Sequence, residues 1–241
     1  MPNRAIQLLK CVVFPLCLVP LARLIWFGVH QNLGADPVAE ITHVTGNWTM
    51  YLLLTSLAIT PLRRLHPGLA WLIRFRRMLG LYAFFYATMH LCTYVFLFSN
   101  LDVPGVLANL QAHDWAGFRA QWTVPWTNMK DDFFRRRFIQ VGLFAWFLLL
   151  LLAVTSPAWI MRRMGGKSWQ RLHRLVYVAA IAGIVHFWWL VKTGVMSPMK
   201  DTLVLAALLL ARIVWVVMKK RRNAKPPLAQ NPGVPTISLP R

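Results

Sequence analysis

Six stretches of the chain are apolar for about the length of a membrane crossing, near residues 11–29, 44–62, 78–98, 138–155, 174–191 and 202–218. About 20 such residues in a helix cross a hydrocarbon core of about 30 Å. Little sequence is left between them. The pattern predicts an all-α integral membrane protein, a six-helix transmembrane bundle spanning 11–218, with residues 1–10 ahead of it and a basic, disordered tail over 219–241. No separate soluble catalytic domain is expected.

Composition agrees. The chain is 57% hydrophobic and 14% charged, with a mean hydropathy of +0.49, where a soluble domain carries about 25% charge. Arg4 and Lys10 ahead of the first stretch mimic a signal peptide, but no small-residue cleavage site follows and Arg23-Leu-Ile-Trp continues the span. Pro15 and Pro20 predict a kink there.

The net charge of +20 does not point to nucleic acid, because of where it lies. Arg63, Arg64, Arg74, Arg76 and Arg77 follow the second span, and Arg162, Arg163, Lys167, Arg171 and Arg174 follow the fourth. Lys219, Lys220, Arg221, Arg222 and Lys225 follow the sixth. With Arg4 and Lys10 these fall on one side of a six-span layout, which the positive-inside rule makes cytoplasmic, so both termini are expected there. Arg135-Arg-Arg breaks the pattern beside Asp131 and Asp132. The basic rims suit anionic membrane lipids.

Between spans, 31–43 reads as an outer loop, 63–77 as an inner loop turning at His66-Pro-Gly, and 100–137 as an outer segment. The last carries Trp115, Trp122 and Trp126 and suits the membrane surface. Cys11, Cys17 and Cys92 read as small buried hydrophobes. No C-x-x-C-H, G-x-G-x-x-G, P-loop or H-E-x-x-H occurs.

Chemistry concentrates in the histidines. His30, His43, His66 and His113 fall in loops or at span ends; His43 lies close to Glu40 at an outer mouth where a quinol could release a proton. His90 and His186 instead sit at mid-depth in spans three and five, where an ionisable group is a functional candidate. Both spans run the same way, and each histidine lies about 12 residues in, or some 18 Å up at about 1.5 Å per residue. Equal height lets two neutral imidazoles grip one haem iron from opposite faces. His173 lies about 20 Å lower, near the rim. Arg76, fourteen residues before His90, shares a face with it to within about 40°, whereas thirteen residues leave His173 about 140° from His186 on an ideal helix. A second haem at the His173 level therefore needs a loosened turn near Trp169–Leu172. Arg76, and with it Arg74 or Arg77, suits pairing with a haem propionate better than ligating iron.

These residues resemble the ferric-reductase-like transmembrane domain shared by NADPH oxidases and metalloreductases: six spans, His90 in span three, and His173 and His186 in span five. In that family a second span-three histidine stands where Arg76 is found here. Gly46-Asn-Trp-Thr, Thr60-Pro-Leu-Arg-Arg, Arg76-Arg-Met-Leu-Gly-Leu and Trp169-Gln-Arg-Leu-His-Arg-Leu-Val-Tyr resemble, more narrowly, the haem-binding subunits of bacterial periplasmic methionine sulfoxide reductase systems. That resemblance implies a multi-pass bacterial inner-membrane protein with one or two b-type haems on His90, His186 and His173, Arg76 and Arg77 lying beside them. It also implies FMN, and an electron-transfer role from the quinone pool to a periplasmic molybdenum-containing catalytic subunit that repairs oxidised proteins. Such a subunit has no substrate chemistry of its own. The alternatives are a stand-alone ferric reductase and a transporter whose histidines pack or relay protons.

Overall fold

The computed structural model describes residues 2–190 and 198–224. Val191, Lys225 and the expected tail from Pro226 lie outside the described residues. Every element among the described residues is helical, and five helical stretches are long and apolar enough to cross a membrane: Asn3–Val29, Pro67–Phe98, Arg137–Val154, Gly166–Leu190 and Met199–Asn223.

The first stretch is α1 (Asn3–Leu16) and α2 (Val19–Val29), so the expected kink is a break at Cys17-Leu18. The amide of Leu18 turns to the carbonyl of Pro15, 2.9 Å away, and abandons the helical acceptor four residues back. Two tyrosines from a later helix cover the exposed carbonyls: the Tyr82 hydroxyl donates to Phe14 O at 3.0 Å and the Tyr86 hydroxyl to Cys17 O at 2.7 Å. A proline break inside a bilayer survives when neighbours re-satisfy its backbone in this way.

The helix α3 (Pro37–Leu65) starts inside the expected outer loop. Asp36 caps it by accepting from Ala39 N at 2.9 Å, and Pro37 suits its first turn. It covers the second expected span but is too polar to be among the five. The reason is its position. It packs against α2, α4, α11 and α12, so Thr45, Ser56 and Thr60 are buried in protein. Thr45 Oγ1 donates back to Ile41 O at 2.7 Å.

The expected inner loop is largely helical as well. After His66 a 3-10 turn (Pro67–Leu72) leads into α4 (Ile73–Thr93), which ends in one π-helical turn at Tyr94–Phe98. Arg74, Arg76 and Arg77 therefore lie in the first turns of α4, where arginine is a good helix former.

The outer segment folds as α5 (Val103–Gln111), α6 (Trp115–Gln121) and α7 (Thr123–Arg135), the first two capped by Asp102 and Asp114. Trp115 and Trp126 are exposed, whereas Trp122 packs on Phe96 with ring centres 6.3 Å apart. The irregular arginine cluster is partly neutralised: Arg136 pairs with Asp132 at 2.9 Å and Arg135 with Asp131 at 3.8 Å.

There follow α8 (Arg137–Val154), α9 (Ala158–Met164), α10 (Gly166–Leu172), α11 (Leu175–Leu190) and α12 (Met199–Ala224). The basic run Lys219–Arg222, expected in the tail, belongs to α12. Cations at a helix C-terminus are stabilised by its dipole, which favours the extension. Cys17 is buried, but Cys11 is exposed on the outside of the bundle, contrary to the burial expected of it.

Two helical hairpins make the core. The pair α3–α4 packs closely, as does α8–α11, and α4 joins them by packing on α8. Inside lie Leu53, Leu57, Ala83, Tyr86, Leu148, Leu149, Ala179 and Ala180. Both mid-depth histidines belong to this interior.

Candidate functional site

In each hairpin one helix carries a histidine and its partner a glycine at the same level. His90 on α4 lies over Gly46 of α3, where an added Cβ would come within 3.3 Å of the imidazole. His186 on α11 lies over Gly142 of α8, where the same atom would fall 2.7 Å from Nδ1. At Gly142 any side chain would collide with the ring, while at Gly46 it would crowd the ring by a few tenths of an ångström.

Each ring is also aimed by a carbonyl. Nδ1 of His90 lies 3.1 Å from Thr42 O, with Thr45 Oγ1 at 3.4 Å, and Nδ1 of His186 lies 2.7 Å from Phe138 O. A carbonyl can only accept, so Nδ1 carries the proton in both and Nε2 keeps a free lone pair. A metal-ligating histidine is normally oriented in this way, by its other nitrogen.

The two rings meet across the bundle interior, with centres 6.0 Å apart and planes at 87°. Metal–imidazole bonds of about 2.0 Å on opposite sides of an ion put the ligating nitrogens about 4 Å apart. Each ring centre lies roughly an ångström behind its nitrogen, so the observed separation fits one metal held between two imidazoles. Among the described residues no group of three or more His, Cys, Asp or Glu could hold a bare ion. Two facing imidazoles suit a metal whose remaining ligands come from a macrocycle.

A second tier lies below. Arg76 Nη1 donates to Thr60 Oγ1 of α3 at 3.2 Å, and Nε2 of His173 lies 3.2 Å from Oγ1 of Thr155, which follows the end of α8. The spacing is matched within each hairpin: 76 to 90 and 46 to 60 are both fourteen residues, and 173 to 186 and 142 to 155 are both thirteen. Arg76 thus stands in one hairpin where His173 stands in the other. The loosened turn expected near Trp169–Leu172 falls one step later, since α10 is intact to Leu172 and the break is at His173-Arg174. His173 is held there by stacking on Trp169, ring centres 3.9 Å apart, whose indole donates to Thr155 O at 2.8 Å.

Arg76 is half-buried and close to Tyr177, which accepts from Arg212, and the charges of Arg63 and Arg212 lie near it. Arg63 Nε is buried without a hydrogen-bond partner among the described residues. Arg77 is exposed, and Arg74 donates to Asn3 Oδ1 at 2.6 Å. Of the three arginines considered for a carboxylate of the bound group, Arg76 alone reaches the interior. Sequence reasoning missed Arg212, although a charge inside an apolar span is itself a signal. It also missed Gly142 and the carbonyls of Thr42 and Phe138.

The sequence profile of the ferric reductase like transmembrane component matches residues 45–184 of this chain. A protein-methionine-sulfoxide reductase heme-binding subunit MsrQ of Herminiimonas arsenicoxydans is 41% identical over 220 residues, covering 90% of each chain. Subunits of the same name from Xanthomonas euvesicatoria and Xanthomonas axonopodis pv. citri are 42% and 43% identical over 232 residues, covering 94% and 90% of this chain. No solved structure matches.

Proposed function

We propose, because this chain belongs to the ferric-reductase-like transmembrane family and within it to the MsrQ haem-binding subunits, that it is the membrane electron-transfer subunit of a methionine sulfoxide reductase system. The observation that carries the reading is the His90–His186 pair: two imidazoles 6.0 Å apart, each with Nδ1 tied to a carbonyl and Nε2 left to ligate.

These residues would hold a b-type haem. When bound, its iron supplies one-electron redox chemistry at mid-depth. The chain's own part is to fix the axial imidazoles, exclude water and lipid with Leu148, Leu149, Ala179 and Ala180, and keep both rings in the neutral, ligating tautomer. At the lower tier Arg76 is placed to meet a propionate, with Arg77 at the rim. Among the described residues His173 alone offers an imidazole there, so a second haem at this level would have a single imidazole ligand. FMN is an expectation from the family that no residue set described above accounts for.

The topology supports transfer across the membrane. Counting α3 as a sixth span puts Arg4, Lys10, the α4 start, the α9–α10 region and the α12 end on one side, cytoplasmic by the positive-inside rule. Both termini then face the cytoplasm of a bacterial inner membrane, and the outer side meets a molybdenum-containing catalytic subunit in the periplasm. The electron source is the quinone pool.

The test is reconstitution. The purified protein should show a low-spin b-type spectrum, be reduced by a short-chain quinol, and pass those electrons to the catalytic subunit so that methionine sulfoxide is consumed. A haem-free preparation, or quinol reduction with no sulfoxide turnover in the reconstituted pair, would contradict it. Extraction of the same sample reads haem count and FMN.

A further inference from the structure

We infer that the break in the first membrane stretch builds a binding site for the headgroup of a lipophilic quinol or quinone, between α1–α2 and the outer half of α3. The ligand class rests on the electron source proposed above, while the site comes from the cavity itself.

A cavity of about 500 Å³ lies there, bordered by Cys17, Arg23, Phe27, Glu40, Val44 and Trp48 among others. That volume is in the range of pockets for cofactor-sized molecules. It exists because of the break: Tyr82 and Tyr86 hold the freed carbonyls of Phe14 and Cys17, which fixes the bend that opens the cavity. Tyr86 is fully buried, and Trp48 packs on it with ring centres 6.4 Å apart.

The lining suits a planar ring with a polar atom at either end. Its walls are largely apolar and include the aromatic side chains of Phe27 and Trp48, which suit contact with a planar ring. Two polar groups stand at the outer end. The Arg23 guanidinium lies over the Phe27 ring, 5.0 Å from its centre, and can donate to a quinone carbonyl. The Glu40 carboxylate is half-buried, makes no ion pair with Arg23, and has no hydrogen-bond partner among the described residues. It can accept from a quinol hydroxyl. A free phospholipid tail would use neither group.

Placement favours the same occupant. On α3, residues 40, 44 and 48 form one stripe, and 42, 45 and 46, which meet His90, form another. At about 100° per residue the stripes are roughly 150° apart, so a single helix of about 10 Å diameter separates the cavity from the imidazole pair at the same level.

The experiment uses the full-length haem-loaded protein in nanodiscs and an azido-ubiquinone with a short alkyl tail, with labelled residues mapped by mass spectrometry. Labelling is expected within 16–27 and 40–48, displaced by decylubiquinone. Val44→Trp, which fills the cavity, should cut that labelling at least tenfold, and Glu40→Gln at the mouth should weaken decylubiquinone binding several-fold. Haem content serves as the folding control, and Glu40→Gln carries the test should Val44→Trp not fold. Labelling elsewhere, labelling that decylubiquinone does not displace, or unchanged binding in Glu40→Gln would overturn the site. Reduction by decylubiquinol is read in the same samples. Wild-type reduction with labelling elsewhere refutes the cavity and leaves the electron source standing. Displaceable labelling in the cavity with no reduction refutes the electron source and leaves the cavity standing.

Discussion

A Cβ placed on Gly142 would lie 2.7 Å from Nδ1 of His186. That is nearer than side-chain atoms tolerate, and the Phe138 carbonyl holds the ring from the same helix at 2.7 Å. Gly142→Ala is therefore expected to push the imidazole off its carbonyl and remove most of the bound haem. Gly46→Ala faces His90 at 3.3 Å and should lose less. Haem-to-protein ratios of the two purified variants check this order; equal retention would show that the glycines do not set the ring positions.

The two ring planes stand at 87° to one another. Perpendicular axial imidazoles leave the iron orbitals they interact with nearly degenerate, so the ferric protein should give a strongly anisotropic low-spin electron paramagnetic resonance signal. A rhombic signal of the kind given by parallel imidazoles would mean that the rings rotate on binding.

At the lower tier, a haem ligated by His173 alone would be high-spin. His173→Ala is expected to leave the low-spin signal of the upper site intact and to abolish any high-spin fraction. Loss of the low-spin signal would show that the tiers do not bind independently. Arg76→Gln should loosen a propionate contact without changing the spin state, read by the rate of haem loss to a scavenging apoprotein.

The bend of the first stretch gives a stability prediction. Tyr86→Phe strips the buried Cys17 carbonyl of its donor, and an unsatisfied buried group costs about 1–3 kcal/mol. Thermal unfolding in nanodiscs should show Tyr86→Phe less stable than wild type and Tyr82→Phe, nearer the lipid-exposed Phe14, affected less. Equal stabilities would show that the carbonyls find other partners.

Much of the site could be read from residue spacing. Helical rise alone brought His90 and His186 to one height, and prolines marked the break that the structure places at Cys17-Leu18. The Gly46 motif was noticed, but nothing local showed that its glycine lies beneath His90. Gly142 went unseen because α8 is largely apolar, and a small residue among Leu and Phe announces close approach only once the facing helix is known. Residues 44–62 lie within the helix α3, which is not among the five stretches apolar enough to cross a membrane. Its threonines became intelligible only with four helices packed around it. Arg212 lay in plain view as a charge within an apolar span, but its partner Tyr177 is 35 residues away and on another helix.

The most direct measurement is quantitative haem extraction with optical spectra from His90→Ala and His186→Ala, each purified from the membrane as a folded protein. Grip by two facing imidazoles predicts that either substitution alone eliminates the low-spin haem. Full low-spin haem in either variant would contradict it.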